Sequence, residues 1–263
     1  MTRDFRNIIR GVASRFLSVS GDYRHLLTKD KIDLIDMAIH RYDLHSILDA
    51  GGCWGVHGGY TFHALSNSRI KNATIIDTNI TDTTKKRSES HPHLKLVNGD
   101  FGDRNLVKSL GDFDAVIFYD VLLHQVNPNW NEIIDMYSSI TNHFIIYNQM
   151  FTGSHSTIRL TDLGLEEYLK NTPYNGNEEF IIEMFSKIDQ NHPEHNKVYG
   201  DVHHYWQWGI SPPDLFSVMS RNNFRADYLC NYGKFSKLPY FENHGILFSR
   251  IKRHPKFSNS DSY

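Results

Sequence analysis

Five short runs of branched and aromatic apolar residues, separated by stretches with helical spacing, constrain the fold of this chain most. They are SILDA (46–50), ATIID (73–77), LKLVNGD (94–100), DAVIFYD (114–120) and HFIIYNQ (143–149). Runs rich in Ile, Val, Leu and Phe suit a sheet that is buried on both faces. The intervals between them leave room for one helix each, which predicts strand–helix units and a doubly wound, mostly parallel sheet.

The second half of the chain predicts further helices and a final pair of strands. Residues 225–233 and 244–253 read as two strands of a terminal hairpin, which brings the predicted sheet to seven strands. Helical spacing is found in LTDLGLEEYLK (160–170), EEFIIEMFSKI (178–188) and PPDLFSVMSRNNF (212–224). The expected fold class is α/β, with helices on both faces of the sheet.

We expect one domain over residues 1–263, with two elaborations on the sheet. Residues 1–45 form an N-terminal helical segment, in which Asp30 is the predicted N-cap of the second helix. Residues 152–211 form a capping insertion, and residues 212–253 form the C-terminal helix and hairpin.

Composition excludes several classes of protein. A net charge of −2 gives no support for bulk nucleic-acid binding. Only two cysteines occur, far apart, which fits a reducing cytoplasm and excludes a disulfide framework. The N-terminus lacks the apolar core of a signal peptide, and no stretch approaches the roughly 18 apolar residues of a membrane span. The sequence therefore predicts a cytoplasmic protein.

Polar residues follow the predicted strands at or near their carboxyl ends. Because ligands of open α/β sheets bind at this edge, the series indicates a binding site rather than a set of helix caps. Its members are Asp49, Asp77, Asp100, Asp120 and Asn148.

The turn after the first strand, AGGCWG (50–55), discriminates among nucleotide ligands. Its glycines do not fit the spacing of the dinucleotide fingerprint, and no phosphate-binding Gly-Lys-Ser/Thr loop is present. The bulky Trp54, either packed in the core or forming a wall of the site, disfavours a pyrophosphate. The pattern that remains is Asp49-x-Gly51-x-x-x-Gly55.

This pattern resembles the first motif of the class I S-adenosylmethionine-dependent methyltransferases, with Cys53 where the family has its middle glycine. The stretches ATIID, NGDF, FYDVLLHQVNP and HHYWQWGISPPDLFSVMSRNNF (203–224) resemble its later motifs, in the same order. The resemblance implies a Rossmann-like sheet and S-adenosylmethionine as cofactor, bound by the half of the chain over 46–150. It also implies the cofactor-binding residues Asp49, Gly51, Gly55, Asp77, Asp100, Phe101 and Asp120.

In that family the acid at Asp77 binds the ribose hydroxyls, the acid at Asp100 binds the adenine amine, and Phe101 flanks the ring. A carboxylate suits a diol because it accepts two hydrogen bonds. Tyr23 and Arg24 either form a solvated surface pair or close over the carboxylate of the cofactor.

Methylation of a hydroxyl requires a general base, and histidine is the natural one near neutral pH. The resemblance places His124 best, just after the fourth strand, and His155 and His203 (with its neighbour His204) are the other candidates. A metal site built from HPEH (192–195) with Asp201, His203 and His204 matches no defined motif, so we expect no metal.

The capping segments are rich in Tyr, Trp, Asn and His, which suits a small polyhydroxylated acceptor. We therefore expect an O-methyltransferase acting on a sugar or a similar polar metabolite, as in surface polysaccharide synthesis. A nucleic-acid base or a nitrogen acceptor, an NAD(P)-dependent oxidoreductase and an inactive methyltransferase-like binding subunit remain as alternatives. The oligomeric state stays open.

Overall fold

The computed structural model describes residues 27–174, 178–195 and 197–251. The first predicted N-terminal helix, the pair Tyr23 and Arg24 and the end of the chain lie outside these residues. In chain order the described elements are α1 (Lys29–Tyr42), β1 (Ser46–Ala50), α2 (Gly59–Leu65), β2 (Asn72–Asp77), α3 (Asp82–Ser88), β3 (Leu94–Asn98), α4 (Arg104–Ser109), β4 (Phe113–Tyr119), α5 (Trp130–Tyr137), β5 (Thr141–Phe151), β6 (Ile158–Arg159), α6 (Leu165–Lys170), α7 (Glu178–Ser186), β7 (Trp208–Gly209), α8 (Pro212–Arg221), β8 (Phe224–Lys234) and β9 (Phe241–Arg250).

The main sheet has seven strands in the order β3-β2-β1-β4-β5-β9-β8. Strands β1 to β5 pair in parallel, whereas β9 lies antiparallel between β5 and β8. The strand order reverses between β1 and β4, which is where doubly wound sheets bind their ligands. The predicted fold class is therefore confirmed.

Alternate residues of each strand supply the two cores of the sheet. Ile47, Ile117 and Leu247 pack on the face covered by α1 and α2. Leu48, Phe118 and Phe248 pack on the opposite face, which α5, α8 and residues of the predicted cap cover. Helices thus cover both faces, as the composition of the strands predicts.

Helix α1 begins two residues earlier than predicted. Thr28, not Asp30, is its N-cap residue, and Asp30 lies in the first turn, where a carboxylate interacts favourably with the helix dipole. The buried stripe of α1 consists of Lys31, Leu34, Ile35, Ala38 and Ile39. A lysine therefore occupies a position on the apolar face of this helix.

Residues from the predicted cap contact the chain just after β4. The backbone N–H of Gln207 donates to the Leu123 carbonyl (3.0 Å), and Trp208 Nε1 donates to the Gln125 carbonyl (2.7 Å).

The single helix predicted over 160–170 is wrong in its first part. Gly164, with φ +79°, separates a 3₁₀ turn (Leu160–Leu163) from α6.

Strand β5 is longer than its predicted run. It pairs with β9 from His143 to Phe151, so Asn148 lies inside the strand, opposite His244, and not at its end.

In the described ranges no helix combines the length and the apolar composition needed to cross a bilayer.

Candidate cofactor and acceptor site

The glycine turn crosses the carboxyl ends of β1, β2 and β4. Gly51 has φ +76°, and its backbone N–H donates to the Ile76 carbonyl (2.8 Å). A Cβ on Gly51 would lie 2.8 Å from Val121 Cγ1 and 3.3 Å from a ring carbon of Phe101. Glycine is therefore required here by both conformation and close approach.

Gly55, with φ +70°, differs from Gly51 because a Cβ there would meet no atom within 4 Å. The backbone at Gly55 thus borders open space. Trp54 beside it is 79% exposed, which excludes core packing, one of the two alternatives for this side chain.

Cys53, the departure from the family motif, is completely buried against Ile75 and Ile80. Its backbone N–H donates to Asp77 Oδ2 (2.9 Å). Burial and the nearby Asp77 raise the pKa of its thiol to about 12, so this thiol is neutral at physiological pH. The small side chain closes the turn against β2, a role that tolerates cysteine in place of glycine.

Asp49 lies at the centre of the sheet edge and is 3% exposed. Thr61 Oγ1, from α2, donates to its Oδ2 (2.6 Å). Burial raises the pKa of Asp49 to about 6, and the carboxylate of Asp77 contributes in the same direction. A buried acid of this kind favours a cationic ligand, because a positive charge would restore its ionised form.

We expect Asp49→Asn to stabilise the ligand-free protein at pH 8 and to weaken cofactor binding. A carboxyl whose pKa rises from 3.8 to about 6 on folding destabilises the fold above pH 6, and this cost disappears below pH 4. The shift corresponds to at most about 3 kcal/mol in the free energy of unfolding. Urea denaturation at pH 4 and pH 8 measures it, with the exposed Asp82→Asn as control. An equal gain in stability at both pH values would contradict a raised pKa for Asp49.

Asp77 closes β2 and is 7% exposed. Its Oδ2 accepts from Cys53 N (2.9 Å) and its Oδ1 accepts from Asn79 N (2.8 Å). Burial raises its pKa, while these two backbone hydrogen bonds act in the opposite direction. Each oxygen keeps a further lone pair, so the carboxylate can still accept from a diol.

Asp100 and Phe101 follow β3 on the same edge. Asp100 is exposed, and its Oδ1 accepts from the backbone N–H of Gly102 (2.7 Å). Phe101 is buried, and its carbonyl accepts from Tyr137 Oη (3.0 Å). An exposed carboxylate and an aromatic ring that approaches Gly51 are therefore neighbours at this edge of the sheet.

Asp120 follows β4 in a left-handed conformation, with φ +56°. Its Oδ2 forms an ion pair with Lys31 of α1, and Gln149 Nε2 donates to its Oδ1 (2.8 Å). Sequence reasoning missed Lys31. The available signal was its position three and four residues before Leu34 and Ile35, on the apolar stripe of α1.

His124 ends a 3₁₀ turn after β4 (Leu122–His124) and contacts the predicted cap. Its Nδ1 lies 2.8 Å from the Tyr205 carbonyl oxygen. Because a carbonyl only accepts, Nδ1 carries the proton, and Nε2 of the neutral ring is a proton acceptor. Burial lowers the pKa of His124, which keeps the ring neutral at pH 7.

The histidines of the cap form a cluster. The ring centroids of His203 and His204 are 4.5 Å apart, and His195 lies 5.4 Å and 4.9 Å from them. Burial, with the neighbouring histidines, lowers the pKa of His203 to about 4 and that of His204 to about 3. In the described residues, no group of three or more His, Cys, Asp or Glu side chains is arranged to hold a metal ion.

The structure thus brings His124 and His203 together but not His155. His124 contributes electrostatically to the pKa of His203, whereas His155 is exposed in the loop after β5. The backbone carbonyl of His155 accepts from Ser211 Oγ (2.9 Å).

Comparison of the sequence with models of protein families and with curated proteins gives no significant match. Comparison of the fold with solved structures gives many. The N-terminal domain of EvdMO1, crystallised with S-adenosylhomocysteine (SAH) and D-fucose, superimposes with a TM-score of 0.56 at 12% identity, over 94% of this chain and 97% of that one. The SAH complex of the N-methyltransferase NodS from Bradyrhizobium japonicum WM9 gives a TM-score of 0.55 at 9% identity, over 93% and 99%.

Magnesium protoporphyrin IX methyltransferase (ChlM) from Synechocystis PCC 6803, with bound SAH, gives a TM-score of 0.53 at 15% identity, over 94% of this chain and 93% of that one. The chain spans only 47% of the complete EvdMO1 chain. It spans 58% of an O-methyltransferase family protein from Burkholderia thailandensis, at a TM-score of 0.49 and 12% identity. From the first three of these structures, this chain shares its fold with S-adenosylmethionine-dependent methyltransferases, as the motifs predicted.

The residues present fit this cofactor. Acceptors dominate the strand-end edge, and S-adenosylmethionine presents donors in its ribose hydroxyls, its adenine amine and its ammonium group. The backbone at Gly55 borders open space, which leaves this part of the turn accessible to a ligand, whereas Gly51 packs against Val121 and Phe101. A diphosphate would instead meet the carboxylates of Asp49, Asp77, Asp100 and Asp120.

Proposed function

We propose that this protein is an S-adenosylmethionine-dependent methyltransferase that methylates a hydroxyl group of a small polar acceptor, such as a sugar. The observation that carries the proposal is the row of carboxylates at the ends of four adjacent parallel strands, around a glycine turn. A sulfonium cofactor is positively charged, and this edge is acidic. The same edge repels the diphosphate of a nicotinamide cofactor.

Each strand-end residue has a role in this proposal. Asp77 accepts from the ribose hydroxyls, Asp100 accepts from the adenine amine and Phe101 flanks the base. Gly51 gives the turn its shape and Gly55 lets the backbone approach the cofactor. Asp120 accepts from the ammonium group, and the buried Asp49 adds negative charge behind it. When bound, S-adenosylmethionine supplies an electrophilic methyl group, and its transfer leaves SAH.

His124 is the proposed general base. Its Nε2 takes the proton that the acceptor hydroxyl loses, and the Tyr205 carbonyl holds the required tautomer. His203 is adjacent and neutral, and we propose that it lines the acceptor pocket together with the aromatic residues of the cap. His155 is the less favoured candidate, since it lies in an exposed loop.

The acceptor class is supported by the cap and not by the fold. NodS is an N-methyltransferase, whereas the EvdMO1 domain was crystallised in the presence of D-fucose. We infer that the acceptor is a precursor of a surface polysaccharide, methylated in the cytoplasm, where the free thiols of Cys53 and Cys230 stay reduced.

The test is transfer of labelled methyl from S-adenosylmethionine to matched sugars and amino sugars. The proposal expects label in compounds that carry only hydroxyl groups. Label only in amines or nucleobases would identify a nitrogen acceptor. SAH binding without transfer to any acceptor would favour a binding subunit, and quenching of NADH fluorescence on titration would favour an oxidoreductase.

A further inference from the structure

Lys31 is a buried cation at the junction of the glycine turn with β4 and β5. It is 8% exposed, and its ammonium nitrogen lies 5.5, 5.7 and 4.9 Å from the ring centroids of Tyr60, Tyr119 and Tyr147. Tyr60 belongs to α2, which follows the glycine turn, and the other two rings belong to β4 and β5. The three tyrosines form a cage that stabilises a positive charge.

The anion paired with this lysine is more open than the cation. The side chain of Asp120 is 36% exposed, against 10% for that of Lys31. Ion pairs with a buried partner contribute little net stability, because desolvation offsets their attraction. Stability alone therefore does not explain why a lysine occupies the apolar face of α1.

The Asp120 carboxylate is held from two sides. Lys31 binds Oδ2, and Gln149 Nε2 donates to Oδ1 (2.8 Å) while also contacting Asn243 Oδ1 (3.3 Å). Tyr119 Oη donates to the Lys31 carbonyl (2.9 Å), which fixes α1 against β4. The left-handed φ of +56° at Asp120 is a strained conformation for a residue with a Cβ, and such strain clusters at functional sites.

Asp120 also lies beside the glycine turn. Val121, the next residue, approaches within 2.8 Å of the point where a Cβ on Gly51 would lie. Asp49, the other acid at this point of the edge, is 3% exposed and already accepts from Thr61. Of the two carboxylates, only that of Asp120 is both pre-oriented and open to a ligand.

We propose that Lys31 is a positioning residue that holds Asp120 as the receptor for the ammonium group at the amino-acid end of the cofactor. This inference rests on the proposed function. Each oxygen of Asp120 keeps a lone pair after its contacts with Lys31 and Gln149, so the carboxylate can accept from the ammonium. Lys31 acts through Asp120 and does not itself touch the ligand.

Calorimetric titration with two ligands tests the proposal: SAH and 5′-methylthioadenosine, which has the same adenosine and sulfur but lacks the amino-acid end. Lys31→Met and Asp120→Asn should each weaken SAH binding by at least tenfold and change methylthioadenosine binding by less than twofold. Because Lys31 acts through Asp120, the double variant should bind SAH no more weakly than Asp120→Asn alone. Lys29→Met, which removes an exposed lysine from the same helix, should bind both ligands like the wild type.

Lys31→Met alone leaves the Asp120 carboxylate without its ion-pair partner, which can destabilise the fold. The double variant removes both charges and so avoids this effect. Cooperative thermal unfolding verifies that each variant is folded. Equal weakening of both ligands would show a purely structural role for Lys31, and additive losses in the double variant would show that it does not act through Asp120. Either result, or unchanged SAH affinity in Lys31→Met, overturns the inference. A wild type that binds neither ligand would instead refute the proposed function.

Discussion

Asp77→Ala is expected to abolish measurable SAH binding. The variant removes the carboxylate proposed to accept both ribose hydroxyls, and hydrogen bonds to a charged group contribute about 1.5–3 kcal/mol each. Loss of two such bonds corresponds to at least about 100-fold in affinity. Isothermal titration of wild type and variant measures this directly.

Asp77 also organises the glycine turn, because it accepts from the backbone N–H groups of Cys53 and Asn79. Asp77→Asn separates the proposed binding of the ribose from the organisation of the turn. Asparagine has the same shape as aspartate, and its amide oxygen still accepts one of these backbone hydrogen bonds. We expect Asp77→Asn to stay folded and to lose about tenfold in affinity, the equivalent of one weakened bond. Asp82→Ala, at an exposed position five residues along, is the matched control and should bind SAH normally. Normal binding by a folded Asp77→Ala would refute its role.

His124→Gln is expected to lower kcat by about 10²- to 10⁴-fold, the usual contribution of a general base. Its affinity for SAH should stay within threefold of the wild type, because the strand-end acids, and not His124, are the proposed cofactor contacts. Glutamine can still donate to the Tyr205 carbonyl, so the contact between the cap and the turn after β4 is preserved. Single-turnover transfer of labelled methyl gives the rate.

The pH dependence distinguishes a base from a structural histidine. Burial holds the pKa of His124 below its usual value of 6.5, and a base acts in its neutral form. The rate should therefore be constant above pH 6.5 and should fall at lower pH, and this fall should be absent in His124→Gln. His155→Gln, at an exposed position outside the proposed pocket, is the control and is expected to keep most of the rate. A large loss in His155→Gln, with His124→Gln nearly unaffected, would assign the base elsewhere.

The sequence predicts best those elements that are buried on both faces, because their apolar pattern does not depend on a distant partner. The run SILDA is β1 with unchanged bounds, because a central parallel strand is buried on both faces and its pattern depends on no partner loop. The end of β5 was misplaced, since its last residues are fixed by pairing with β9, which lies about 100 residues further along the chain. Local pattern contains no information about that register.

The same distinction applies to the site. Asp49, Asp77, Asp100 and Asp120 lie at or just after the carboxyl ends of their strands, so the topology of the sheet alone brings them to one edge. The contact of His124 with Tyr205 depends on how the cap folds back, and no local pattern encodes it. Lys31 was missed because a lysine on a helix is ordinarily read as solvated, although its place on the buried stripe of α1 was visible in the spacing.

Calorimetric titration of the wild-type protein with SAH and, separately, with NADH tests the central claim most directly. We predict micromolar affinity for SAH at one site per chain and no detectable heat with NADH, because the acidic edge accepts the donors of an adenosyl amino acid and repels a diphosphate. Absence of SAH binding by protein that unfolds cooperatively, or preferential binding of NADH, would contradict the assignment.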